Sequence, residues 1–206
     1  IAWFSFAGIT LGVATLIIVM SVMNGFRTEL INRILGLNGH IGVFSATSEP
    51  LTDYNRVALK LAELPNVIAA TPQVQGQVMA SSARAQTGAV VRGVSWSDLA
   101  ARKPLWDSLS QQAIADFRDD KHILIGETMA FRLGLKIGDK MTLLSASGRT
   151  TAFGSIPSKR TFTIGGLFKV GMHEYDNSFI FMPLSEAQSF FHLPDAVSGI
   201  EVYSDA

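Results

Sequence analysis

Cysteine is absent from the 206 residues, which excludes disulfides, thiolate nucleophiles and cysteine-ligated zinc. An excess of either charge sign is absent too, with Lys and Arg totalling 17 and Asp and Glu 17; a general nucleic-acid binder would carry a basic surplus, so no nucleic-acid partner is expected. There is no glycine-rich phosphate loop ending in Gly-Lys-Ser/Thr. Neither Ser95 nor Ser147 sits in a nucleophile elbow. His173-Glu174 opens like a zinc-protease pair, but Asn177 stands where the second ligand belongs. His40, His122 and His192 are scattered. The expectation is a chain with no catalytic residues, no metal and no cofactor of its own.

Charge is also missing from residues 1–26, IAWFSFAGITLGVATLIIVMSVMNGF, the first charged residue being Arg27. As one helix this stretch would reach roughly 39 Å, whereas a bilayer core asks for about 20 apolar residues. A soluble core helix would show polar positions every third or fourth residue. A secretory signal has a shorter apolar region and a small-residue cleavage site. Residues 1–26 are therefore expected to span a membrane, and the sequence looks like an excerpt of something longer. Ser5, Gly8, Gly12 and Thr15 share one helical face. That face either packs on another membrane helix or reflects how common glycine is in such helices.

Past Asn24-Gly25 the pattern turns amphipathic. Phe26, Leu30, Ile34 and Leu37 form a stripe, with Arg27, Glu29 and Arg33 off it. A helical stalk over 27–39 follows, stopped at Asn38-Gly39. Phe26, Leu30 and Ile34 are the candidates for contact with lipid chains.

The rest reads as α+β. Strand His40–Ser45, a helix capped by Thr52 and running to Leu64, strand Val67–Ala70, and a hairpin of Val74–Ser82 with Ala89–Val94 come first. Short helices and irregular chain are expected over Ser95–Arg118, with Trp96, Trp106 and Phe117 as a local core. Strand His122–Ile125, helix Glu127–Leu133, strands Lys140–Leu144, Arg160–Phe168 and Ser178–Met182, a short helix Pro183–Phe191 and strand Ser198–Tyr203 complete it. Ser145–Ser158 reads as a long polar loop.

That loop carries the strongest signal of a partner. Between Lys140 and Lys169 stand five basic residues, Lys140, Arg149, Lys159, Arg160 and Lys169, and no acidic one. Such a field steers an acidic partner. Phe153 and Ile156 sit mid-loop beside Gly154 and Pro157; they either insert into a partner's groove or fold back on their own domain.

LGVATLIIVMSVMNGF at 11–26, the RTELINRILGLNGH that follows to His40, ILIGETMAFRLGLKIGD at 123–139 and FGSIPSKRTFTIGGLF at 153–168 together resemble the lipoprotein-releasing (Lol) permeases of the MacB-like (type VII) ABC transporter family. The resemblance implies a subunit of the bacterial inner membrane with residues after about 27 in the periplasm. It implies a first membrane helix and stalk, then a MacB-like periplasmic domain of mixed β-α-β and antiparallel strands with an inserted subdomain. The membrane-near part would be 40–94 plus 196–206, and the insertion 95–195 with a hook loop over 145–160. The implied partners are a cytoplasmic ATPase subunit that binds ATP, a second permease subunit (same or related), lipoprotein substrates and the periplasmic chaperone LolA. The family's chaperone-binding hook falls on Arg149, Thr150, Thr151, Ala152, Phe153, Gly154, Ile156 and Pro157, and its pad on Lys140, Lys159 and Arg160. One extra residue precedes Thr151 relative to the family, so the resemblance fixes the hook tip only to within a position. Other MacB-like transporters, of efflux or cell-division type, and a single-pass sensor receptor are the alternatives.

Overall fold

The computed structural model describes residues 2–204 other than Ser48, Lys121, Ala152 and Phe153; the side chains of Ala2, of 30–36, of 147–151 and of 154–156 also lie outside the described residues. Contacts divide the chain into two units, Ile1–Gly36 and Leu37–Ala206.

The first unit is helix α1, which runs unbroken over Ala2–Leu37 and does not pause at Asn24-Gly25. Its stretch Trp3–Glu29 is long and apolar enough to cross a membrane, and none of it is buried in protein. The Thr10 and Thr15 hydroxyls donate to the carbonyls of Phe6 and Leu11, at 2.8 Å each, so the helix satisfies its own polar groups as an apolar solvent requires. A Cβ placed on Gly8 or Gly12 would meet nothing within 4 Å.

In the second unit one strand organises the others. β2 (Val67–Ser81) uses its first half to pair antiparallel with β8 (Gly199–Ser204), which in turn pairs with the short β1 (Ile41–Val43). Helix α2 (Tyr54–Ala62) lies against this part of β2. From Val74 onward β2 joins a ring. It pairs with β3 (Gln86–Val94), β3 with β7 (Phe179–Pro183), β7 with β4 (Ile123–Gly126), β4 with β6 (Gly154–Phe168) and β6 with β5 (Lys140–Thr151). The pairing of β5 back to β2, from Val78↔Ser145 to Ser81↔Thr142, closes these strands into a barrel. The β3–β7 and β4–β6 pairs are parallel and the rest antiparallel.

Strand alternation fills the barrel from within: Val74, Val78 and Ala80 of β2, Val91 of β3, Met141 and Leu143 of β5, and Phe162 and Ile164 of β6 are all buried there. Helices α6 (Glu127–Leu133) and α8 (Leu184–Phe191) contribute Met129, Leu133, Ala187 and Phe190 to the same core. The approach of α8 demands glycine beneath it, since a Cβ on Gly93 would lie 2.1 Å from that of Ala187. A second core covers the outside of β3, β7 and β4, where Leu124, Phe168 and Phe181 meet α3 (Trp96–Ala101), α4 (Lys103–Trp106), α5 (Gln111–Arg118) and α7 (His173–Ser178). Phe117 is buried in it, and the rings of Trp96 and Trp106 lie 4.8 Å apart.

A charge cluster is buried across β2, between β3 on one side and β8 on the other. Arg92 (4% exposed) and Arg102 (1%) both face Glu201 (8%). Arg102 Nη2 lies 2.9 Å and Arg92 Nη1 3.6 Å from that carboxylate. Both guanidinium groups also donate to the Leu37 carbonyl at 3.4 Å, and Arg92 reaches Asn38 Oδ1 at 3.0 Å. Beside them burial pushes the Tyr203 hydroxyl up to about 12.

Four features depart from the sequence reading. β2 is one strand rather than two, because Pro72 sits where only β8 flanks it and its missing N–H costs no ladder bond. Residues expected as a loop, 145–158, are largely strand. Helix α7 has no counterpart among the expected elements. The cap position of α2 is Asp53 rather than Thr52, and Asp53 makes no side-chain capping bond, pairing with Arg56 instead.

Candidate functional site

β5 and β6 run on beyond the barrel. β5 parts from β2 at Ser145; after a shift in register, Arg149↔Ile156, Thr150↔Ser155 and Thr151↔Gly154 pair only with each other. The stretch from Ser145 to Thr151 carries this two-stranded ribbon roughly 20 Å past the ring. The described residues of 145–158, expected as a loop, therefore extend the barrel wall as two paired strands. Ala152 and Phe153 lie outside the described residues, as do the side chains of Arg149, Thr150, Thr151 and Ile156. Pro157, at the ribbon's root, is exposed.

The ribbon's root has two faces of different character, set by strand alternation. Ser158, Arg160 and Phe162 point toward α8. The Ser158 hydroxyl is 2.8 Å from His192 Nε2, Arg160 Nη2 is 2.8 Å from Glu186, and the Arg160 guanidinium lies over the Phe162 ring. His192 adopts a left-handed conformation (φ 56) at the C-terminal cap of α8, which delivers its ring to β6. On the outer face stand Lys140, Thr142 and Leu144 of β5, Pro157, Lys159 and Thr161 of β6, and Gln77, Met79 and Ser81 of β2. The Thr142 and Thr161 hydroxyls bond across it at 2.9 Å.

This alternation divides the expected pad. Lys140 and Lys159 share the outer face, four ladder positions or about 13 Å apart; Arg160 is on the other side. Of the basic residues between 140 and 169, Arg160 is paired with Glu186 and Lys169 with Glu127, whose carboxylate holds the Lys169 ammonium above its usual range. Lys140 and Lys159 have no acidic partner among the described residues. Phe26 is exposed, whereas the Leu30 and Ile34 side chains lie outside the described residues.

The sequence reading missed His192, Glu186 and a groove on the outer face. Gln77, Val78, Met79, Gly88, Leu144, Ala146 and Pro157 line a depression of about 390 Å³. Met79 is 46% and Leu144 36% exposed. The register of β2 on β5 creates this groove, and no local pattern announces that register. Among the described residues no group of three or more His, Asp or Glu is placed to hold a metal ion.

The family model of the MacB-like periplasmic core domain matches residues 2–205. The chain is 31% identical over 201 residues to the lipoprotein-releasing system transmembrane protein LolC of Neisseria meningitidis, covering 96% of this chain and 48% of that protein. It is 27% identical over 209 residues to LolE of Haemophilus influenzae, covering 100% of this chain and 50% of that one. The chain thus spans about half the length of the curated relatives it matches. Among solved structures, the extracellular domain of the noncanonic ABC-type transporter YknZ from Gram-positive bacteria superposes with a TM-score of 0.53 at 16% identity, covering 81% of this chain and 83% of that one, a likeness of fold.

Proposed function

Because this chain belongs to the MacB-like periplasmic core domain family, we propose that it is part of a permease subunit in a lipoprotein-releasing ABC transporter. On this reading α1 anchors the subunit in the inner membrane and Leu37–Ala206 is its periplasmic head. A separate cytoplasmic subunit hydrolyses ATP, a second permease subunit completes the membrane part, and lipoproteins leave the outer leaflet for the chaperone LolA. The head asks for no catalytic group; its task is to hold the chaperone. Within it, the three-stranded β1–β8–β2 sheet supports a membrane-near part over 40–94 and 196–206, with 95–195 as the insertion.

The observation that carries the proposal is the ribbon. Among the described residues, the pairs Arg149↔Ile156, Thr150↔Ser155 and Thr151↔Gly154 join β5 and β6 to each other and to no further strand. The ribbon's sequence carries Phe153 and Ile156 in a stretch free of acidic residues. Strand pairing on both sides of the expected tip limits the entropy lost on docking. The 31% identity to LolC over 96% of the chain supports the same partner.

The test uses the intact permease with its ATPase in detergent and measures capture of purified LolA. Phe153→Asp should weaken capture by about tenfold or more, as loss of an interface anchor does, and Lys159→Glu by a smaller factor that shrinks as salt is added, while thermal melting stays unchanged. Undiminished capture by both variants would remove the hook from the mechanism.

A further inference from the structure

We propose that the end of the β1–β8–β2 sheet at which β1 and β2 begin is an apolar foot that rests in the interfacial layer of a bilayer. The inference rests on α1 being a span of that same bilayer, part of the reading just given. Both strands run antiparallel to β8, so they start at one end of the sheet, and Ile41 and Ala70 share the partner Val202. Outside α1, five of the nine large apolar side chains that stand exposed among the described residues fall between Ile41 and Ile68. Ile41 opens β1, Ile68 lies at the start of β2, and Leu64 leads into β2 through a turn; each is more than half exposed.

The turn holds that display in place. The Val67 amide donates to the Leu64 carbonyl at 3.3 Å, with Pro65 at the second position and Asn66, at φ 67, at the third, the pattern of a type II turn. A register shift between Val67 and Ala69 then sets Ile68 out of the ladder with β8. Turns between elements are ordinarily polar, yet no charged residue stands between Glu63 and Arg84.

Three observations choose the bilayer as occupant. The chain ties this end of the sheet to the apolar helix: from Glu29, where the apolar stretch closes, α1 continues about 12 Å to Leu37. The residues from there to Ile41 add about 14 Å at most, so Ile41 stays within roughly 26 Å of the end of that stretch. The surface from Leu64 to Ile68 carries no charge with which to select a protein partner, whereas a bilayer interface asks for buried apolar area. The turn is ordered before contact, so insertion costs little conformational entropy. A head held by α1 alone would swing about one tether; a second contact with the bilayer fixes the tilt at which it stands.

The 206 residues hold no cysteine, so Ile41→Cys, Leu64→Cys and Ile68→Cys can each carry a fluorophore. The intact permease with its ATPase, any other cysteine replaced, is placed in vesicles of phosphatidylethanolamine and phosphatidylglycerol doped with a lipid bearing a nitroxide near its headgroup. All three labels should be quenched. Phe131→Cys is the control: Phe131 is 88% exposed on α6, whose Leu133 carbonyl accepts from the Ser82 hydroxyl just past the far end of β2. That end is roughly 45 Å of strand from Ile68, and a label at 131 should keep its emission. Leu64→Asp with Ile68→Asp should abolish quenching at position 41, because carboxylates are expelled from the interface. If the labels at 41, 64 and 68 are quenched no more than that at 131, the foot is overturned. If a photo-crosslinking residue at position 68 traps the second permease subunit rather than lipid, the choice of occupant is wrong. If a label at Val19→Cys in α1 escapes a nitroxide placed deep in the acyl chains, α1 is no span and the underlying reading fails as well.

Discussion

Glu201→Gln is the substitution that tests the head's internal electrostatics most severely. The carboxylate of Glu201 faces two guanidinium groups, Arg102 at 2.9 Å and Arg92 at 3.6 Å, and all three residues are less than one-tenth exposed. Removing its charge leaves two buried cations whose hydrogen-bond acceptors are neutral, the carbonyls of Leu37 and Asp98, Asn38 Oδ1 and Gln75 Oε1, with the Asp98 carboxylate still acting on Arg102 through its charge. Breaking a buried ion pair from one side costs about 3–5 kcal/mol. Because those neutral acceptors remain, the lower end, about 3 kcal/mol, is expected. For a domain of this size each kcal/mol moves the melting point by roughly 2–4 °C, so a fall of roughly 6–12 °C follows. Thermal unfolding of the detergent-solubilised chain, followed by tryptophan fluorescence, reads it directly. The double variant Arg102→Met with Glu201→Gln removes one cation along with the carboxylate and should cost less than the sum of the two single changes, by roughly 1–3 kcal/mol. A fall below about 2 °C for Glu201→Gln, or strict additivity in the cycle, would refute the cluster as described.

Two further outcomes follow from the packing. Gly93→Ala drives a methyl to within 2.1 Å of Ala187 on α8 and should cost about 2 kcal/mol, with part of it recovered when Ala187→Gly is added; a Gly93→Ala melt equal to the parent's would contradict the contact. Burial raises the Asp98 carboxyl above its ordinary 3.8, despite the opposing Ser95 hydrogen bond and Arg102 charge. The folded state therefore holds that proton more tightly than the unfolded one. The resulting stability is full below pH 3.8 and is lost as pH rises through the folded value, so the advantage of Asp98→Asn over the parent should grow across that window; parallel melting curves from about pH 3.5 to 7 would contradict it.

The elements with a strong period are legible in the sequence alone. Helix α1, helix α6 and the buried β4 and β7 lie within a residue or two of where apolar patterning puts them. What escaped has physical reasons. The ribbon over 145–158 leaves its barrel, so no face is apolar and a paired strand reads as a polar loop. Closure of the barrel rests on β2 meeting β5 across some 60 residues, from Ser81 to Thr142, and no local signal encodes that pairing. Helix α7 is HEYDNS, six residues without a helical period, held because the Asp176 carboxylate accepts from the Val170 and Gly171 amides at 2.8 and 3.1 Å. The resemblance to the Lol permeases places the hook in the sequence, but the shape of its base is set by the register of β5 on β6.

That register also changes what the basic stretch can do. Counted along the chain, Lys140, Arg149, Lys159, Arg160 and Lys169 form one positive field. Folded into a strand, adjacent residues must face opposite ways, so Lys159 and Arg160 cannot serve one surface. Arg160 is taken up on the opposite face by Glu186 and the Phe162 ring, and with Ser158 and His192 it ties the ribbon's root to α8. Lys169 is likewise paired with Glu127. The outer face keeps Lys140 and Lys159, about 13 Å apart by strand geometry, which exceeds the screening length of about 8 Å at physiological salt. Two cations so separated act singly, and single exposed charges steer encounter more than they hold a complex. On the proposed reading, the larger part of any affinity would then come from apolar contact. A partner suited to this head is therefore one whose apolar surface is its main feature and whose acidity is confined to the rim.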